Sequence, residues 1–474
     1  MKPEPNSFPL NRRRFLGRAA VAATAFQVIP GHILGLNGAT SAGEKLNLAA
    51  VGVGGQGGSD LGSLTETGEV NVVALCDVDW RHAAGSFRRY PKASQFKDYR
   101  KMLEQEKSID AVLVATPDHV HAFASMAALR LGKHVYCEKP LTHSVWEARQ
   151  VANLAREKKL ATQMGNQGAA SEETRRLCET VWAGAIGNVR EAHVWTDRPS
   201  RGLFEEYWPQ GVGRPGDDPQ PPDTLDWDLW IGPAPFRPYH PNYAPFKWRG
   251  WWDFGTGALG DIGCHAFDPV FRALKLGSPV VYPEKMTWDS AEVAKAVHPV
   301  TVQGASSRVN KETFPLASTV TYQFAGRDGR PPLKVVWYDG GLRPPRPEGL
   351  RDNEVMGDNG RLLVGDEGFI LGNRIFPESR RKEVGDVPKT IWRSEGHYKE
   401  WVQACRGGRP GGSNFDWAGP LAEIVLLGNL ALRVELRQIL TTAPLRWDPA
   451  KVEITNISEA APFLRRTYRE GWTL

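Results

Sequence analysis

Three side chains in this 474-residue sequence have the types and spacing to move protons. Asp261 and His265 stand four positions apart, which puts both on one face of a helix. A carboxylate and an imidazole so placed can bind hydroxyls and relay a proton. A helix-capping Asp and a satisfied core His are the plain alternatives. Lys139 lies in Glu138-Lys139-Pro140, where the proline biases the lysine towards extended backbone. Lysine is protonated at neutral pH, so it serves as a base only when buried or beside positive charge. An oxidised nicotinamide ring would supply such charge. Without that context, Lys139 reads as a surface lysine in a turn. No third ligand at recognisable spacing accompanies Asp261 and His265, so no metal site is expected.

A second constellation says where such a ring would sit. Gly52-Val53-Gly54-Gly55-Gln56-Gly57-Gly58 follows an apolar run, Leu46 to Val53. In a phosphate-binding turn Gly52 makes the bend, Gly54 lets the backbone approach a pyrophosphate, and Gly57 lets helix and strand pack closely. The helix that follows offers N–H groups to the phosphates. Asp77 ends the next apolar run, Val70 to Cys76, at the distance expected of a carboxylate that holds ribose hydroxyls. A carboxylate there repels a 2′-phosphate and favours NAD, while Arg81 nearby leaves NADP open.

The elements that must position these residues follow from apolar patterning. Strands are predicted at Leu46–Val53, Val70–Cys76, Ala111–Ala115, His134–Cys137 and Ala161–Met164, with helices at Ser59–Thr67, Ala122–Leu131 and Ser144–Lys158. Strands alternating with helices make a doubly wound parallel sheet, an α/β Rossmann domain over residues 44–167. Its ligands bind at the carboxyl ends of the strands, where Thr116-Pro117-Asp118-His119-Val120-His121 and Glu138-Lys139-Pro140 fall. Residues 168–474 read as an α+β domain with a large, mostly antiparallel open sheet. Its signals are Val189–Thr196, Ser318–Phe324, Leu333–Tyr338, Arg361–Gly365, a glycine-rich entry into a helix over Gly257–Leu276, and a long apolar helix over Phe415–Leu436. An open sheet of this kind leaves a face on which a homo-oligomer can form.

Composition narrows the class. At 41% hydrophobic and 24% charged the chain is of globular type. The net charge is only +5 and no long Lys/Arg run occurs, so no nucleic-acid partner is expected. The five cysteines show no CxxC pairing, which speaks against disulfides and zinc and for buried small hydrophobes. Of 17 tryptophans, many cluster between Trp182 and Trp252. They read as core packing first, and second as the lining of a site for a sugar ring. Residues 1–43 combine Arg12-Arg13-Arg14-Phe15-Leu16, an apolar run from Ala19 to about Ile33, and small residues before a cleavage point near Ala42. The run is too short for stable membrane insertion. The paired arginines resemble a twin-arginine signal, so the twin-arginine export machinery and a periplasmic or otherwise exported location are expected. A cofactor needed outside the cell must travel already bound, which only a folded protein can do.

Taken together, Gly52–Gly58, Thr116-Pro117 with His121, Glu138-Lys139-Pro140 and Asp261-x-x-x-His265 resemble the Gfo/Idh/MocA family of NAD(P)-dependent oxidoreductases, named for glucose–fructose oxidoreductase and inositol dehydrogenase. The resemblance implies that Lys139, Asp261 and His265 form the catalytic group. It implies cofactor contacts from Gly55, Gln56, Thr116, Pro117 and His121, with Glu138 near the nicotinamide. Gly165-Asn166-Gln167 resembles a further segment near the ring, giving Asn166 to the cofactor and Gln167 to the substrate. A Pro/Gly/Trp-rich insertion from about Arg198 to Trp252 departs from the small members, so substrate identity does not carry over. Lys247 and Arg249 within it could bind a polar sugar, or simply belong to a basic surface loop. The expected function is an exported NAD(P)-dependent oxidoreductase on a hydroxyl of a sugar, cyclitol or glycoside, with tightly bound cofactor. An NAD-dependent glycosidase using transient oxidation and elimination is the first alternative. A non-catalytic dinucleotide-binding protein is the second.

Overall fold

Strands buried on both faces build the first sheet. In the computed structural model, which describes residues 44–201, 205–276, 300–326 and 329–474, these are β1 (Leu46–Val51), β2 (Val70–Cys76), β3 (Ser94–Phe96), β4 (Ala111–Val114), β5 (His134–Cys137) and β6 (Thr162–Met164). All pair in parallel, in the order β3-β2-β1-β4-β5-β6. Alternate residues enter two cores: Leu48 and Ala50 face one, Ala49 and Val51 the other. Burial on both sides is why these strands read as continuous apolar runs. The connecting helices are α1 (Gly55–Glu66), α2 (Ala84–Arg89), α3 (Tyr99–Gln105), α4 (Asp118–Arg130) and α5 (Val145–Glu157). The segment expected to be an export signal, residues 1–43, lies outside the described residues.

The differences from the sequence reading are local. β3, α2 and α3 carry no signal strong enough to predict; Ser94 and Gln95 of β3 are exposed, so no apolar run marks it. Helix α1 starts at Gly55, not Ser59, because the glycines after Gly54 already wind into its first turn. Helix α4 starts at Asp118, directly after Pro117, and not at Ala122.

The second sheet is mixed and mostly antiparallel. After α6 (Glu172–Trp182) come β7 (Val189–Trp195) and a short β8 (Ser200–Arg201)–β9 (Glu205–Glu206) hairpin, then α7 (Trp227–Ile231) and α8 (Gly257–Leu274). The remaining strands are β10 (Val300–Ser306), β11 (Ser318–Phe324), β12 (Leu333–Tyr338), β13 (Gly360–Gly365), β14 (Gly368–Leu371), β15 (Arg374–Phe376), β16 (Leu445–Asp448) and β17 (Glu453–Ile454). Their order is β15-β14-β13-β7-β12-β11-β10-β16-β17, and only β12 with β7 runs parallel. Residues along β11 alternate between buried and more exposed, the mark of a sheet with one covered face. Helices α9 (Glu378–Val384), α10 (His397–Cys405), α11 (Phe415–Leu430) and the short α12 (Ala461–Leu464) follow. The predicted helix to Leu436 ends at Leu430, and a separate 3-10 turn covers Val434–Leu436.

One seam positions α8 against the cofactor domain. Helix α5 packs on α11 through small residues: a Cβ on Gly419 would lie 2.9 Å from the Ala152 Cβ. Arg149 reaches both oxygens of buried Glu423, at 2.6 and 2.8 Å, and Arg156 Nε donates to Asp416 at 2.8 Å. Residues from both sheets share one continuous core. No helix among the described residues is long and apolar enough to cross a membrane.

Candidate functional site

The glycine turn is built from contacts that admit no side chain. Gly52 has φ +80°, and a Cβ there would lie 2.6 Å from the Ala115 carbonyl oxygen. A Cβ on Gly57 would fall 1.8 Å from the Gly52 carbonyl oxygen, and one on Gly54 2.1 Å from the His82 ring. Gly57→Ala should therefore push the turn apart and weaken nucleotide binding about 10- to 100-fold. Fluorescence titration with NAD checks this; unchanged affinity would show that the turn tolerates the shift.

Asp77 is buried and braces the turn from behind. Its Oδ2 accepts the N–H groups of Val53 at 2.8 Å and Gly54 at 3.2 Å, and its Oδ1 that of Asp79 at 2.9 Å. Burial raises its pKa despite these donors. Asp77 lines the cavity that opens at the turn, whereas Arg81 is exposed and lines none of it. The arginine that left NADP open is thus not placed to meet a 2′-phosphate.

That cavity, about 420 Å³, runs from the glycine turn past Thr116 and Pro117 to Glu138, Lys139, Arg249 and Asp261. It sits where the strand order reverses between β1 and β4. The Cβ-free turn, the start of α1 and the carboxylate at the end of β2 fit a dinucleotide. No cluster of three His, Cys, Asp or Glu suited to a metal occurs among the described residues.

At the inner end two cations share one oxygen. Lys139 Nζ lies 2.8 Å and Arg249 Nε 3.1 Å from Asp261 Oδ1. Burial disfavours charge on Asp261, but Lys139 and Arg249 outweigh it and hold the carboxyl well below the usual range. Burial and Arg249 press the Lys139 pKa down, yet Asp261 outweighs both and leaves it raised. In Asp261→Asn the largest raising influence is gone, and burial and Arg249 are opposed only by Glu138. The acid limb of the oxidation rate should then move to lower pH by about one unit or more. A pH–rate profile of the variant checks this; a limb that stays in place would mean that Asp261 does not tune Lys139.

The other predicted residues are placed as follows. His121 is buried with each ring nitrogen 2.7 Å from a carbonyl oxygen, of Pro140 and of Thr116, so it clips the two cofactor loops together. Glu138 is buried; its Oε2 accepts the Lys139 backbone N–H at 3.2 Å and its Oε1 the Gln167 amide at 3.0 Å. Gln56 lines the cavity, but its amide donates to Asp60 at 2.7 Å. Asn166 is fully buried, bonded by Ser413 Oγ, and lies outside the cavity lining, as does Gln167. Lys247 is exposed and does not line the cavity. His265 does not line it either, and no hydrogen bond among the described residues joins it to Asp261. Burial pushes its pKa down to about 3, so it is neutral at neutral pH. Asp261 thus faces Lys139 and Arg249 instead of orienting His265.

Sequence reasoning passed over several cavity residues. Asp118 is buried, accepts the Thr256 hydroxyl at 2.6 Å, and is pushed up to about 7 by burial. An Asp in the first turn of a helix is an ordinary residue, so nothing marked it. Outside the cavity lining, Asp60 and Tyr398, bonded at 2.7 Å, join α1 to α10. Of the tryptophans from Trp182 to Trp252, Trp182 is exposed and the rest are buried, as core packing requires, yet Trp230 and Trp248 also line the cavity.

Two family descriptions match successive parts of the chain: the NAD-binding Rossmann fold of the Gfo/Idh/MocA oxidoreductase family over residues 46–166, and its C-terminal alpha/beta domain over residues 205–296. In both of these parts the chain is similar to the Gfo/Idh/MocA oxidoreductase family. Among curated members and relatives, levoglucosan dehydrogenase of Pseudarthrobacter phenanthrenivorans is 26% identical over 39% of this chain and 38% of its own length. A glycosyl hydrolase family 109 protein of Stenotrophomonas maltophilia is 35% identical over 28% of this chain and 30% of its own. The matches thus span less than half of these relatives. A solved structure, GenD2 from gentamicin A biosynthesis in complex with NAD, superposes with a TM-score of 0.53, covering 85% of this chain and 97% of that one at 19% identity. That likeness shows the family fold.

Proposed function

We propose that this protein is an NAD-dependent oxidoreductase acting on a hydroxyl of a sugar, cyclitol or glycoside. The observation that carries it is Lys139 Nζ held 2.8 Å from Asp261 in the cavity that opens at the glycine turn. The names of dehydrogenases among the relatives support it. A bound nicotinamide supplies the hydride acceptor. Lys139 takes the hydroxyl proton in oxidation, or gives it to the carbonyl oxygen in reduction. Asp261 stabilises the ammonium form and fixes where it points. Because its pKa is raised, Lys139 favours proton donation at neutral pH, and oxidation gains speed as pH rises. Trp230 and Trp248 wall the cavity with apolar surface and limit water near Lys139.

The proposal includes export with the cofactor in place. Arg13-Arg14-Phe15-Leu16 ahead of the apolar run supports the address. Contacts between the insertion and the loop after β2 support the retention. Trp80 N–H donates to the Thr224 carbonyl at 3.1 Å and Asp226 N–H to that of Val78 at 2.9 Å, tying the insertion to the loop after β2. Protein purified from the exported fraction and dialysed should still release NAD on denaturation, as read by mass spectrometry. It should then change nicotinamide absorbance with at least one sugar or cyclitol in a screen. Cofactor lost on dialysis would overturn retention, and silence across the screen would overturn the activity.

A redox-neutral glycosidase is the second reading, favoured by the 35% identity to a glycosyl hydrolase family 109 protein. Aglycone release with no net nucleotide reduction would select it over dehydrogenation.

A further inference from the structure

The cavity has an outer wall that the proton chemistry does not use. It comes from the insertion and carries arginines at both ends. Arg249 lies over the Phe246 ring at 4.2 Å and the Trp248 ring at 4.3 Å, which fixes its plane. Phe246 meets Tyr207 edge-on at 4.9 Å, and Arg198 lies over Tyr207 at 4.9 Å. All five side chains line the cavity.

The charges on this wall do not cancel. Arg198 is balanced by Asp197 at 2.7 Å. Lys139 and Arg249 have only Asp261 between them, both on the same oxygen. Asp118, another carboxyl that feels this group, is pushed up to about 7 by burial and accepts the Thr256 hydroxyl, so it is not a full counter-charge. Burial and Asp60 raise the Glu138 pKa well above its ordinary value, and its oxygens accept the Lys139 backbone N–H and the Gln167 amide, not either cation. Two cations paired to one carboxylate leave one positive charge without an ion-pair partner. Arg249 gives Nε to Asp261 and Nη1 to the Phe246 carbonyl, and its Nη2 meets no acceptor among the described residues. A planar guanidinium clamped between rings, with an edge unspent, matches a planar carboxylate.

We propose, on the footing of the oxidoreductase reading, that the substrate is a carboxylate-bearing sugar or glycoside of the uronate class, whose acid group is received by Arg249. A single excess charge fits a monoanion better than a phosphate dianion. The aromatic pair Tyr207 and Phe246 then faces the apolar side of the sugar ring.

Binding is read by tryptophan fluorescence of the NAD-loaded protein, since Trp230 and Trp248 line the cavity, and needs no turnover. D-glucuronate and D-galacturonate should bind about tenfold or more tightly than D-glucose and D-galactose. The difference should vanish in Arg249→Gln and shrink in Arg249→Lys. In the wild-type protein, added salt should weaken uronate binding but not that of the neutral sugars. That measurement stands even if the variants fold poorly. Equal affinity for acid and neutral sugars, binding of neither, or tighter binding of glucose 6-phosphate than of glucuronate overturns the proposal. If neutral sugars alone reduce the nucleotide, the uronate assignment fails while the oxidoreductase reading stands. If uronates bind tightly but no sugar reduces the nucleotide, the reverse holds.

Discussion

Lys139→Ala lowers turnover about 1,000-fold while NAD stays bound, the size expected when a general acid–base group is removed. The fold should survive the change. Breaking a buried ion pair is damaging mainly because it strands the remaining charge. Here Asp261 keeps Arg249 Nε at 3.1 Å, so its charge is not stranded. The glycine turn makes no contact with the Lys139 side chain in the hydrogen-bond network, so nucleotide affinity should hold within a few-fold. Lys139→Arg sharpens the result. It keeps the positive charge beside Asp261 but cannot lose its proton near neutral pH. If Lys139 acts by proton transfer, both variants are silent. If it acts only through its charge, the arginine variant recovers much of the rate. Steady-state kinetics of the two, alongside nucleotide content by mass spectrometry, decides between them. Near-normal turnover in Lys139→Ala would remove this residue from the chemistry altogether.

The second large effect concerns the end of the chain. Trp472 lines the cavity, packs edge-on against Phe123 at 5.6 Å and lies under the Arg100 guanidinium at 4.7 Å. Arg469 anchors this segment to Asp228 at 2.5 Å, and its backbone N–H donates to the Pro233 carbonyl at 2.9 Å. The indole is thus a wall of the cavity held from two sides. Holding a half-buried indole there is worth about 1.5–3 kcal/mol. In Arg469→Ala/Trp472→Ala, NAD release should speed up about 10- to 100-fold, and dialysed protein should lose its nucleotide. The neighbouring Arg466 is left intact because it neutralises Glu147, which is buried and caps α5. Stopped-flow measurement of release gives the answer. An unchanged rate would place the hold in the Val78–Asp226 and Trp80–Thr224 contacts instead.

How far the sequence carried this picture depends on whether a signal is local. The parallel strands declared themselves because runs such as Val70–Cys76 are largely apolar, and their parallel pairing followed from the alternation with helices; the order β3-β2-β1-β4-β5-β6 came from the structure. β3 did not, since three residues at an exposed edge need no apolar pattern. Lys139 and Asp261 were each visible as types in a motif, yet their 2.8 Å contact joins residues 122 positions apart. No spacing rule reports such a contact. For Arg249 the sequence leaves a sugar ligand and a plain basic surface loop both open; its tie to Asp261 appears only once α8 and the insertion are packed together. His265 shares a helix face with Asp261 in sequence, but the cavity reaches Asp261 and Ile262 and stops short of it. Trp472 is the extreme case: its partners Phe123 and Arg100 are hundreds of positions away, and a tryptophan near a chain end carries no pattern of its own.

The seam between α5 and α11 limits how this architecture can be rebuilt. A cofactor domain that met its neighbour through a flexible, polar joint could be traded as a cassette between relatives of different specificity. Here the joint is keyed. Gly419 admits Ala152, Glu423 is buried against Arg149, and Asp416 takes Arg156. A chimera that imports a foreign substrate domain inherits a bulky residue or an unmatched buried carboxylate unless these pairs travel together. Changes of substrate are more readily made in the insertion that walls the cavity, which can vary without disturbing the keyed joint.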